Sequence, residues 1–140
     1  MSESTSTEFT GERVIPDLVD TDLLNEHLAR YRFADRIAAG MGHSPRVLDA
    51  GCGSGYGTAE LRHAGSVTGT DVSVEAVDYA RRHFARAHVL FLQAACEALP
   101  FSDAAFDLVT IFEVIEHIDR WRELLNSKID VGDGGVTRRD

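Results

Sequence analysis

Cysteine is scarce in this chain. Its 140 residues hold two, Cys52 and Cys96, too few for a disulfide framework and at no CxxC metal-site spacing. Six histidines are present, but none pairs at HExxH or similar spacing, so no metal site is expected. No stretch approaches the roughly 18 apolar residues of a membrane span, and no membrane association is expected. Positive charge is also short: 14 basic against 23 acidic residues give a net charge of −9. Proteins that hold nucleic acid through its phosphates generally present a basic face, so nucleic acid is not an expected partner. The short clusters Arg81–Arg82 and Arg138–Arg139 read as solvated face and tail. The N-terminus, MSESTSTEFTGE, is polar and acidic, unlike a signal peptide. These absences lead to the expectation of a soluble protein in the reducing cytoplasm.

What is present is an alternation of periods. Hydrophobic residues make up 44% of the chain, enough for one core in a one-domain length. Residues 1–20 are expected as a flexible arm and 21–140 as the domain. From Thr21 the pattern is helical: Leu24, Leu28, Tyr31 and Ala38 share a face, with Leu23, Ala34 and Ile37 beside it. Asp20, Thr21 and Asp22 are candidate N-caps, and Gly40, Gly42 and then Pro45 end the helix. RVLDA (46–50) is then a short apolar run that reads as a buried parallel strand. TAELRHAG (58–65) reads as a helix closed by Gly65, and SVTGTDVS (66–73) as a strand ending at Asp71. Ser73 caps a helix with an inner face of Val74, Val77, Ala80 and Phe84. HVLFLQA (88–94) and FDLVTIFEV (106–114) are further strands, and DRWRELLNS (119–127) a further helix. Strands alternating with helices indicate an α/β fold with a parallel sheet. Ligands in such sheets bind beyond the carboxyl ends of the strands. Asp49, the glycine loop, Asp71, residues 94–97 and Phe112–Glu113 all fall at those ends.

The glycine loop is D-A-G-C-G-S-G-Y-G, residues 49–57. A dinucleotide loop needs GxGxxG. Counted from Gly51 the third glycine position holds Tyr56, and counted from Gly53 it holds Thr58. No Lys followed by Ser or Thr is present, which excludes a P-loop. An acidic loop beside an acidic strand end repels phosphate. It suits a ligand with hydroxyls, an amine and positive charge.

Three ordered motifs carry a resemblance. VLDAGCGSG, VTGTDVS and EALPFSDAAFDLVTIFEVIEHI resemble, in order and spacing, the signatures of class I S-adenosylmethionine-dependent methyltransferases, over roughly residues 47 to 118. The upstream FTGERVIP and NEHLARYRFA segments are similar to the leader of some bacterial members. The resemblance implies a Rossmann-like parallel sheet with flanking helices in strand order 3-2-1-4. It implies S-adenosylmethionine as cofactor and methyl transfer to a small-molecule acceptor.

Residue by residue, the resemblance implies that Gly51, Cys52, Gly53 and Gly55 offer backbone to the methionine part of the cofactor. Asp49 would orient the loop or accept from the ligand's amine. Asp71, followed by Val72, would accept from the ribose hydroxyls, a task suited to a carboxylate with two acceptor oxygens. Cys96 and Glu97 would lie along the adenine edge, and Phe112 and Glu113 would line the methionine end. Tyr31 and Phe112 are candidates for aromatic contact with the sulfonium. His117 would be a general base where the acceptor loses a proton, with Glu116 or Glu113 as orienter. Plainer readings stand beside these. Asp49 caps the following turn, Asp71 is a surface strand end, Cys52 is a small residue without thiol chemistry, Tyr31 is core, and His117 packs the strand-to-helix turn.

Two departures bear on function. Many relatives carry an acid where this chain has Ala95, and that acid commonly bonds the adenine amine. After Asn126 the sequence leaves the family pattern, so the expectation is a sheet incomplete relative to the seven-stranded methyltransferase fold. Its fourth strand would be an open edge through which the chain could self-associate. The alternative expectation is a truncated, catalytically inactive remnant or binding module of that fold.

Overall fold

A computed structural model describes residues 21–112 and Lys128. Helix α1 (Thr21–Ala39) leads into strand β1 (Arg46–Ala50); β2 (Ser66–Asp71), α2 (Val74–Phe84), β3 (Val89–Gln93) and β4 (Leu108–Ile111) follow. The four strands form one sheet in the order β3-β2-β1-β4, and all three pairings are parallel. This is the α/β architecture and the strand order expected. The expected arm at residues 1–20, the helix at 119–127 and the tail beyond it lie outside the described residues.

The apolar runs of the strands are explained by burial on both faces. Val47, Val67, Val89, Phe91 and Leu108 face one side, where they pack with Tyr31, Ala34 and Ala38 of α1 and Val77 and Ala80 of α2. Leu48, Ala50, Val109 and Ile111 face the other, against Phe106, Leu99, Phe101 and Cys96. The second cover does not reach β3, where Leu90 is 51% exposed. Strand β4 is the edge of the described sheet, yet its four residues are all buried. At the foot of the sheet Arg46 and Asp107 form a two-pronged pair, with Arg46 Nη2 2.8 Å from Oδ1 and Nε 3.1 Å from Oδ2. The Arg46 hydrogen bonds hold the Asp107 carboxyl below its ordinary range.

Three expectations need correction. TAELRHAG does not continue as a helix: only Thr58–Glu60 forms a single 3-10 turn. Gly57 supplies no capping side chain there, Thr58 commits its hydroxyl to Asp49, and one turn alone does not repay helix nucleation. Val74 is 58% exposed rather than facing inward. The buried face of α2 is instead Ala76, Val77 and Ala80, because Val74 starts the helix at the strand-end rim. Two strands are also shorter than expected, since β3 covers Val89–Gln93 rather than 88–94 and β4 starts at Leu108 rather than Phe106. The Ser73 cap holds, its hydroxyl accepting from Ala76 N–H at 3.1 Å.

Candidate functional site: the glycine loop at the strand ends

The carboxyl ends of β1 and β2 stand side by side, with Asp49 paired in register to Gly69 and Ala50 to Thr70. The loop leaving β1 folds directly over β2. The N–H groups of Gly51 and Cys52 both donate to the carbonyl of Thr70, at 2.7 and 2.8 Å. Gly51, Gly53 and Gly55 all have positive φ, at 80°, 59° and 94°, a region that residues with a Cβ rarely enter. Gly55 is doubly constrained, because a Cβ there would stand 2.7 Å from the Cβ of Ala80 and 3.2 Å from the ring of Phe91. The sequence folds this way locally because three glycines in alternate positions permit a wound loop that lies close on α2.

Asp71 fastens the loop from the other strand. Its Oδ2 accepts from Gly53 N–H at 2.9 Å, and its Oδ1 accepts from Ser73 N–H at 3.0 Å. A half-buried carboxylate is thus oriented by two backbone donors at the sheet's ligand end. Val72 follows it with 59% of its surface exposed. The Gln93 amide donates to the Val72 carbonyl at 3.0 Å, and Ala94 N–H donates to the Asp71 carbonyl at 3.0 Å. The segment after β3 is therefore tied to the Asp71 turn. There Cys96 is half-buried, in a 3-10 turn over Cys96–Ala98, and Glu97 is exposed.

Asp49 is fully buried. Three hydroxyls donate to its carboxylate: Tyr31 at 3.1 Å and Thr110 at 2.8 Å on Oδ1, and Thr58 at 2.6 Å on Oδ2. Burial pushes the carboxyl up to about 6, against the lowering effect of those donors. Burial, and then the charge of Asp49, also push the Cys52 thiol well up, and burial lifts Cys96 to about 11. Neither cysteine is poised as a thiolate nucleophile. Tyr31 is 1% exposed, and its ring meets Phe112 edge-on with centroids 4.9 Å apart.

The structure therefore brings Tyr31, Asp49, Gly51, Cys52, Gly53, Gly55, Asp71 and Phe112 together around one loop. Val72, Cys96 and Glu97 stand on the adjoining turns. Glu113, Glu116 and His117 lie outside the described residues. Sequence reading missed Thr58 and Thr110. Thr110 left one usable signal, a polar residue inside the fully apolar run of β4. Thr58 left none, because only the folded loop brings it back to Asp49.

With that geometry in place, comparison with known proteins decides the lineage. A family profile described as a methyltransferase domain matches residues 48–131, the span from β1 past the end of β4. The chain belongs to the methyltransferase-domain family. Among curated relatives, a protein of Mycobacterium tuberculosis named as a probable S-adenosylmethionine-dependent methyltransferase is 38% identical over 111 residues, covering 79% of this chain and 39% of that protein. The 27-O-demethylrifamycin SV methyltransferase of Amycolatopsis mediterranei is 32% identical over 137 residues, covering 91% of this chain and 50% of that one. The methyltransferase solved in complex with the Haloferax volcanii Trm112 activator superposes with a TM-score of 0.65 at 27% identity, covering 81% of this chain and 50% of that one. The [4+2]-cyclase SpnF shares the fold at a TM-score of 0.65 and 23% identity, over 79% of this chain and 43% of that one. This methyltransferase-family chain spans 39% of the length of the first of these relatives. Among its described residues, no helix is long and apolar enough to cross a membrane.

Proposed function

We propose that this chain carries the S-adenosylmethionine site of a methyltransferase acting on a small-molecule acceptor. One observation carries the reading. Asp71, oriented by two backbone donors at the end of β2, stands against a positive-φ glycine loop whose Gly53 it holds. The donor set fits the cofactor's chemistry. A carboxylate suits ribose hydroxyls, side-chain-free glycines let backbone approach the methionine part, and exposed Val72 offers apolar surface to a flat base. The acidic surroundings favour a cation and disfavour the pyrophosphate of a dinucleotide. Two curated relatives, one named as a probable S-adenosylmethionine-dependent methyltransferase and one as a methyltransferase of 27-O-demethylrifamycin SV, agree with this reading.

When bound, S-adenosylmethionine supplies an activated methyl group on a good leaving group. The protein's own task is then alignment and exclusion of water. Gly51, Cys52, Gly53 and Gly55 would meet the methionine end with loop backbone whose N–H groups are already bonded within the protein, Asp71 would fix the ribose, and Cys96 and Glu97 would edge the adenine. Phe112 and Glu113 close the methionine side. Ala95 brings no carboxylate to the adenine amine, so backbone groups read it. An acceptor that must lose a proton needs a base, and His117, oriented by Glu113 or Glu116, is the candidate. The net charge of −9 supports a partner other than nucleic acid, and two free cysteines suit a cytoplasmic location. Self-association at β4 would rest on backbone pairing, because its side chains are already buried.

Isothermal titration of the full chain with S-adenosylhomocysteine tests the site. Saturable heat at micromolar to sub-millimolar ligand is expected. No heat at millimolar ligand, with the protein folded by circular dichroism, overturns the reading.

A further inference from the structure

Three hydroxyls from three separate segments converge on Asp49: Tyr31 from α1, Thr58 from the far end of the glycine loop and Thr110 from β4. Asp49 opens the loop and Thr58 ends it, so their 2.6 Å bond closes the loop at its base. The ring of Tyr31 lies so near Gly57 that a Cβ there would collide with it. That ring is buried and its hydroxyl engaged, which leaves no place for it as a direct ligand contact. The placement gives the residue a different task.

We propose that Tyr31 is a positioning residue through which α1 sets the cofactor loop, acting by its hydrogen bond to Asp49 and not by touching the cofactor. The proposal rests on the loop being the cofactor site and extends that site to the N-terminal helix. Its physics is that of a buried charge. An ionised carboxylate accepts all three hydroxyls in charge-assisted bonds, whereas a protonated one accepts more weakly and carries an O–H that needs a buried acceptor of its own, which competes with the present arrangement. A buried charge that loses a donor is left more costly to ionise. Among the described residues, the titratable groups facing this cluster are His27 on α1, whose ring centroid is 5.3 Å from that of Tyr31, Cys52 and Tyr56 from the loop, Asp71 from β2, and Cys96 from the turn after β3. Asp71 repels the Asp49 charge, so the hydroxyls supply the stabilisation.

The test uses Tyr31→Phe, which removes the hydroxyl and keeps the ring on Gly57 and Phe112. Carbon-detected NMR of the Asp49 carboxyl and the amide resonances of Gly51, Gly53 and Gly55 are followed against pH, with S-adenosylhomocysteine affinity measured alongside. In the native chain the glycine amides should move together with the carboxyl, with a midpoint near the value of about 6 set by burial. In Tyr31→Phe both midpoints should rise together. Affinity at neutral pH should fall about tenfold and recover as pH climbs through the new midpoint, because the ionised form is the one that holds the loop. Thr110→Val removes a second donor and should shift the midpoint in the same direction; it serves if Tyr31→Phe does not fold. Amides indifferent to the Asp49 titration, or a midpoint and affinity unchanged in Tyr31→Phe, overturn the inference. Coupled titration in a chain that binds no S-adenosylhomocysteine would keep the Tyr31–Asp49 device while refuting the cofactor assignment.

Discussion

Asp71→Ala should weaken S-adenosylhomocysteine binding at least about a hundredfold, by calorimetry on protein shown to be folded. Two charge-assisted hydrogen bonds to ribose contribute about 1.5–3 kcal/mol each, and a hundredfold corresponds to about 2.7 kcal/mol. The carboxylate also orders the loop, since it accepts from Gly53 and Ser73 N–H groups. Direct contact and loop support therefore need separating. A 2′-deoxy analogue does so, because it should bind the native chain more weakly while losing little further in Asp71→Ala. Asp71→Asn should fall between the two, retaining one acceptor oxygen and placing an NH2 against a backbone donor. Unchanged affinity in Asp71→Ala would remove the ribose assignment.

Gly55→Ala should destabilise the fold by about 3 kcal/mol, read as a lower urea midpoint. Two costs add. A φ of 94° strains any residue with a Cβ by about 1–2 kcal/mol. A Cβ 2.7 Å from that of Ala80 must also displace α2, and overpacking of this kind costs about 1–3 kcal/mol. Gly42→Ala is the natural comparison, since its φ is 79° but nothing lies within 4 Å of the added carbon. It should carry the strain alone, about 1–2 kcal/mol. Equal losses in the two variants would show that Gly55 is not held against α2. The loop's glycines thus serve two ends: Gly55 lets it pack on α2, and Gly51 and Gly53 supply the positive φ that turns their N–H groups onto Thr70 and Asp71.

Local chemistry was legible in the sequence and convergence was not. RVLDA ran as a strand over the full predicted span, because a parallel strand buried on both faces shows itself as a continuous apolar run. Asp49, Asp71 and the glycines were placed at the strand ends, where the structure has them, because an acid or a glycine after an apolar run is a local signal. Thr58 and Thr110 were missed because their role exists only when the loop and β4 meet Asp49, 9 and 61 residues apart in sequence. Tyr31 shows the same limit from the other side. Its place on an apolar face was read correctly as compatible with core, but its bond to Asp49 spans 18 positions that periodicity does not connect. TAELRHAG was misread for a physical reason too, since its first residue spends its hydroxyl on that carboxylate.

The cofactor assignment is tested most directly by an amide-resolved NMR titration of the full chain with S-adenosylhomocysteine, with a nicotinamide dinucleotide run in parallel. S-adenosylhomocysteine should shift Gly51, Gly53, Asp71, Val72 and Cys96 together along one saturable curve, and the dinucleotide should leave them in place. Saturable shifts from the dinucleotide, or none at these residues from S-adenosylhomocysteine at millimolar concentration, would contradict it.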